Sequence, residues 1–115
     1  MRVGERETER RRLDKDLRFF RMAGKQENCT QNLLRAVRQV MGVPVAEIAR
    51  EMGVNNSVIF RLEQSEERGT ISMEAMVRVA GAMECKLVYG IVPLDGGTLE
   101  ELVESRKWSK LLGFK

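Results

Sequence analysis

Between Val45 and Gln64 the chain leaves itself few ways to fold. Ile48 and Met52 share one face of a short helical pattern, Ile59 and Leu62 share one face of a second, and only a turn at Gly53 and Val54 parts them. Two helices joined so closely must cross tightly. Ala49 supplies the small residue such a crossing needs, and Gly53 supplies the positive φ of the turn. Ile48, Met52, Val54, Ile59 and Leu62 then close a small core that fixes the angle between the helices. Met together at these spacings, the demands predict a helix-turn-helix from about Val45 to about Gln64.

The rest of the chain reads as mainly helical around this motif. Residues 5–23 carry Leu13, Leu17 and Phe20 at helical spacing with charges elsewhere, and Gly24 with the polar run 25–28 breaks the pattern. From residue 30 to 41 a second helix places Leu33, Val37 and Val40 on one face, with Leu34 and Met41 beside it, Thr30 as N-cap and Gly42 as the left-handed stop. Pro44 suits the first turn of the next helix, over 44–52. Another starts at the cap Asn55, and residues 65–70 read as a polar loop containing Gly69. Ser72 caps the helix after it, whose buried side is expected to hold Met73, Met76, Val77, Ala80 and Met83. The seven methionines are expected mostly as core filler.

Residues 85–92 change period. Cys85, Leu87, Tyr89 and Ile91 alternate in a β-rich run ended by Pro93, which predicts a strand. A lone strand leaves its N–H and C=O groups unpaired, and pairing with a twofold-related copy would satisfy them. A homodimer joined through Leu87, Tyr89 and Ile91 is therefore expected, the alternative being a short partner within the chain near Val3 or residues 70–71. Thr98 and Glu101 form a capping box that opens a last helix with Leu99, Leu102 and Val103 apolar. The terminal Trp108, Leu111, Leu112 and Phe114 are expected to dock. The division expected is 1–28 (charged helix), 29–84 (helix-turn-helix domain) and 85–115 (strand and helix, for dimerisation).

Charge and chemistry narrow the function. There is no histidine, which removes Cys/His zinc patterns, the commonest general base and the usual triads. No nucleophile, base and oxyanion set can be proposed, so neither an enzyme nor a metal or other cofactor is expected. Cys29 and Cys85 are read as buried free thiols. No apolar run approaches the roughly 18–20 residues of a membrane span, and the Arg-rich start has no signal-peptide core, so the cytoplasm is the expected location. Of the 20 Lys and Arg, nine fall in residues 1–28 against six acids, while residues 29–115 balance at eleven each. The whole excess of +3 thus sits at the N-terminus, where it can meet phosphates or an acidic partner, or keep a helix solvated.

The second helix of the motif would enter the major groove of double-stranded DNA with Asn55, Asn56, Ser57, Phe60 and Arg61 outward. Asparagine pairs with adenine, arginine with guanine or phosphate, and phenylalanine meets a thymine methyl. Asn55 is also the natural cap of that helix. An exposed Phe60 has no structural use on such a face, which favours contact with DNA.

In these residues the chain resembles the Xre/Cro/C1-type helix-turn-helix regulators over roughly residues 33–83, with Gly42, Ala49, Gly53, Ile59, Leu62 and Glu63 at the family's positions. The resemblance implies a five-helix lambda-repressor-like domain, here with an N-terminal helical extension, one C-terminal β-strand and a C-terminal helix. It also implies a salt bridge between Arg38 and Glu63. More narrowly, the stretches 35–38, 61–66, 69–71 and 85–93 look like the mobile mystery protein A subgroup, whose association with a Fic-domain protein implies an antitoxin-like role beside such a partner. Two departures are Val45, where the family often has a phosphate-anchoring Gln, and Phe60, at a position that is commonly polar. The expectation is a transcriptional regulator, a probable repressor acting as a dimer, and its alternative is an antitoxin-like module that grips a protein partner.

Overall fold

The computed structural model describes residues 2–24, 32–111 and 113. Its helices are α1 (Val3–Asp16), α2 (Arg18–Gly24), α3 (Leu33–Met41), α4 (Val45–Met52), α5 (Asn56–Arg68), α6 (Met73–Ala82) and α7 (Leu99–Leu111). None of them is long and apolar enough to cross a membrane. Thr30–Val88 forms one compact unit, and Met1–Cys29 with Tyr89–Lys115 forms another. The two chain ends therefore make a unit together.

In the Thr30–Val88 unit, α3 to α6 enclose a core of Leu34, Val45, Ile48, Ala49, Ile59, Val79 and Met83, flanked by half-buried Val37, Met52, Val54, Leu62 and Met76. Four helices build it, where the resemblance implied five. Gly53 closes α4 at φ +67, its N–H reaching Arg50 O while Val54 N–H reaches Ala49 O at 2.9 Å. These two bonds satisfy the orphan carbonyls of the helix end and turn the chain straight into α5. Pro44 stands just before α4, at its N-cap.

Several expectations for this unit need correcting. The buried side of α3 is Leu34 and Val37, while Leu33 and Val40 are exposed. On α6 the inward residues are Val79, Ala80 and Met83, with Met73 and Val77 outside. Residues 65–68 are helical, because Gly69 at φ +74 provides the stop four residues later than expected. Of the described methionines, Met52, Met76 and Met83 lie in or against the core as expected, while Met22, Met41 and Met73 are exposed. Cys85 is an exposed free thiol, and Cys29 and Thr30 lie outside the described residues.

One charge is buried in this unit. Glu63 on α5 is 1% exposed and accepts from Arg38 Nε at 2.7 Å and Nη2 at 3.1 Å, with Arg35 Nε at 3.5 Å. The two bonds from Arg38 hold carboxylate and guanidinium in a fixed plane, and the carboxylate keeps the Arg38 pKa above its ordinary range. One turn further along α5, Glu66 accepts from the N–H groups of Leu33 at 3.0 Å and Leu34 at 2.9 Å. Asn32 at the α3 N-cap makes no side-chain capping bond, so a carboxylate from another helix does that work.

The other unit overturns the predicted strand. Residues 85–92 belong to no strand, and among the described residues their backbone donates once, from Cys85 N–H to Ala80 O at 2.8 Å, in the closure of α6. Neither expected partner is free: Val3 lies in α1, and the N–H groups of Thr70 and Ile71 are spent on Ser65 O. From residue 89 on, the segment packs on helices instead. A Cβ added to Gly90 would stand 2.7 Å from Phe20 Cγ and 3.0 Å from Leu17 Cδ2, and Pro93 is buried nearby in sequence. The strand residues also part company, since Leu87 belongs to the Thr30–Val88 unit and Tyr89 and Ile91 to the other. Residues 85–92 thus form no C-terminal β-strand, and a dimer through Leu87, Tyr89 and Ile91 would have no strand ladder to join it.

In that same unit α1 is interrupted at Leu17 before α2 resumes, and α1 packs against α7. Asp14 receives the N–H groups of Leu99 at 2.7 Å and Glu100 at 3.1 Å, and Arg10 meets Glu100 at 2.9 Å. The Thr98–Glu101 box is present, with Glu101 N–H on Thr98 Oγ1 at 3.1 Å and Thr98 N–H on Glu101 Oε1 at 3.3 Å. Trp108 is exposed rather than docked, while Leu112, Phe114 and the side chain of Leu111 lie outside what is described.

Two substitutions test this packing. Arg38→Ala leaves Glu63 buried with only a distant partner and should cost about 3–5 kcal/mol in urea unfolding, whereas Arg38→Met with Glu63→Leu should recover most of that loss. Gly90→Ala should lower stability by about 1–3 kcal/mol through its clash with Phe20. Gly81→Ala, where an added Cβ meets nothing within 4 Å, should not lower it.

Candidate nucleic-acid interface

Helix α5 is fixed from its inner side by Ile59 and Glu63, which leaves its other side to solvent. Asn55, Asn56, Ser57, Phe60 and Arg61 are all exposed, Phe60 by 51%. None of these five side chains forms a hydrogen bond or ion pair among the described residues, and Asn55 stands at the N-cap without a side-chain capping bond. The helix brings them together by its own period: Asn56 lies under Phe60 and Ser57 under Arg61, each pair one turn apart.

Because α5 runs on to Arg68, the row continues. Ser57, Arg61, Gln64 and Arg68 recur at helical spacing, and Gln64 and Arg68 are exposed. Gln64 is not among the outward residues read from the sequence, and Arg68 lies beyond the helix end expected at about Gln64. Reading Gly69 as the helix stop would have found them. At 13 residues α5 is about 20 Å long, enough to lie along a major groove about 12 Å wide.

The electrostatics of this face are simple. From residue 55 to 64 the only carboxylate is Glu63, which is buried and already paired, so no exposed acid faces outward there. Acids gather elsewhere in the unit: Glu47, Glu51 and Glu84 line a cavity of about 240 Å³ beside the end of α6.

Helix starts add a second observation. Glu66 covers the N-terminal N–H groups of α3, and Ser72 Oγ accepts from Ala75 N–H at 3.1 Å at the start of α6. By contrast, α4 behind Pro44 and α5 behind Asn55 have no side-chain cap. In each of these helices the third N–H turns back on the cap residue, Glu47 N–H to Pro44 O and Val58 N–H to Asn55 O at 3.0 Å, and the two N–H groups before it are left to an outside acceptor such as phosphate.

Val45 stands at the start of α4, where the family resemblance would place Gln. It is 7% exposed and belongs to the core, so this position has no side chain to offer a phosphate. No family model matches the chain, and no curated protein or solved structure matches it. Replacing Val45 with Gln should not create an anchor. It should bury an amide without partners and cost about 1–3 kcal/mol in thermal or urea unfolding, with no gain in affinity for DNA.

Proposed function

We propose that this chain is a sequence-specific DNA-binding regulator that lays α5 in the major groove. The observation that carries it is the exposed, internally unbonded face of Asn56, Ser57, Phe60 and Arg61 on a helix held rigidly from behind by Glu63. The resemblance to Xre/Cro/C1-type regulators and the uncapped starts of α4 and α5 point the same way.

Base choice falls to Asn56, Ser57, Phe60 and Arg61. Asn56 offers the bidentate pattern that adenine accepts, Arg61 the one that guanine accepts, and Phe60 an apolar edge for a thymine methyl. Backbone N–H groups at the two helix starts would hold flanking phosphates and set the register. This mechanism needs one copy of the chain on one half-site. A repressor acting on a pseudo-palindrome would use two.

A second role, in gripping a protein partner as an antitoxin does, draws on different residues. Phe19, Tyr89, Ile91, Leu94 and Trp108 are exposed in the unit made by the chain ends and are the side chains such a partner would meet. Regulation of its own operon and capture of a Fic-domain-like partner are compatible on one chain.

Sites selected from random duplex DNA test the first role. Arg61→Ala should weaken the selected site by about 1–3 kcal/mol and relax the preference at one base pair, read by gel shift. Equal binding of selected and scrambled duplexes by the wild-type chain would remove α5 as a reader of sequence.

A further inference from the structure

The Thr30–Val88 unit carries little net charge with which to hold a duplex. It has seven Lys and Arg against seven Asp and Glu, whereas residues 1–29 and 89–115 have thirteen against ten. Neutralised phosphates supply much of the affinity of DNA-binding proteins, so where that surplus lies matters.

Helices α1 and α7 run antiparallel, Asp14 meeting the start of α7 and Arg6 facing its later turns. Their charges are matched at one end and unmatched at the other. Near Asp14, Arg10 pairs with Glu100 at 2.9 Å, Arg21 with Asp14 at 3.8 Å, and two helix N–H groups meet the Asp14 carboxylate. At the opposite end Arg6, Val103, Arg106, Lys107, Ser109 and Lys110 line an open groove of about 710 Å³. No carboxylate lines it among the described residues, and of its four cations only Lys107 has an ion pair there, with Glu104 at 3.4 Å. Packing that collects like charges without answering them works against the fold unless an anion completes the site.

We propose that this groove is a second phosphate-binding surface, one that holds the backbone of duplex DNA. The proposal rests on the DNA-binding role given to the chain. Arg106 and Lys110 stand one turn apart, about 6 Å along α7, and present adjacent positive charges to a run of phosphates. The groove therefore adds affinity without sequence preference. Both surfaces lie on one chain, so engagement of either raises the local concentration of DNA for the other.

The test uses the full chain with Arg6→Gln, Arg106→Gln, Lys107→Gln and Lys110→Gln combined, beside the wild type and Arg61→Ala. Fluorescence anisotropy follows binding to a selected and a scrambled duplex across a salt series. The combined variant should flatten the slope of log K against log salt by about three on both duplexes and leave their affinity ratio unchanged. Arg61→Ala should instead change the ratio. Arg6→Lys with Arg106→Lys keeps the charge and should keep the slope, which separates lost charge from a lost fold. An unchanged slope in the combined variant overturns the groove, even where Arg61→Ala still alters the ratio. A flattened slope with a ratio indifferent to Arg61→Ala supports the groove and removes α5 as the reader. Wild-type binding to neither duplex at low salt overturns both, and binding to phosphatidylserine vesicles in its place would assign the groove to a membrane surface.

Discussion

The carboxylate of Glu63 is the constraint on which the candidate interface depends. A charge 1% exposed must be answered where it stands, and Arg38 answers it with two hydrogen bonds from another helix. That pairing ties α5 to α3 at a fixed rotation. A helix free to roll about its axis would present a changing set of side chains. With Glu63 held inward, Asn56, Ser57, Phe60 and Arg61 are held outward, and a recognition surface needs that rigidity. Glu66 extends the same tie one turn further by receiving Leu33 and Leu34 N–H.

The same device recurs in the unit made by the chain ends. Asp14 receives the first N–H groups of α7 as Glu66 receives those of α3. In each case an acid from one helix meets the positive end of another, which joins two helices and satisfies orphan donors at once. It also removes these acids from the electrostatic balance with a polyanion. The Glu63–Arg38 pair removes one charge of each sign from the Thr30–Val88 unit, and Glu66 is offset at close range by the start of α3. Of the exposed acids that remain, Glu47, Glu51 and Glu84 group at one cavity, while Glu67 stands near the end of α5 and Glu74 in the first turn of α6.

What the sequence made legible was local. Gly53 and Ala49 mark the turn and the crossing because each satisfies a steric demand of its neighbours in the chain, and Ile48 and Ile59 follow from helical period alone. Thr98 and Glu101 were readable for the same reason, three residues apart. The partners of Asp14 and Glu66 lie 85 and 33 residues away, with no local trace. On α3 the adjacent Leu33 and Leu34 gave two possible stripes, and only packing against α5 and α6 selects Leu34. The exposed face of α5 was legible as far as Gln64, because Ser65, Glu66, Glu67 and Arg68 have the polarity of a loop. Their helicity depends on the stop supplied by Gly69.

The failed strand is the most instructive of these differences. Side chains of an extended segment alternate whether or not a neighbour is hydrogen-bonded to it, so the spacing of Cys85, Leu87, Tyr89 and Ile91 testifies to backbone conformation and not to a ladder. A ladder needs a second segment with free N–H and C=O groups. Here α6 takes the Cys85 N–H, α5 takes those of Thr70 and Ile71, and Val3 is helical. What the segment has instead is Gly90, a residue with no side chain where Phe20 and Leu17 press closest. A glycine inside a β-like run marks a close approach of something to the backbone. In this chain it marks where the segment lies on the Leu17 and Phe20 stripe, and so explains how that isolated amphipathic stripe is covered within the chain.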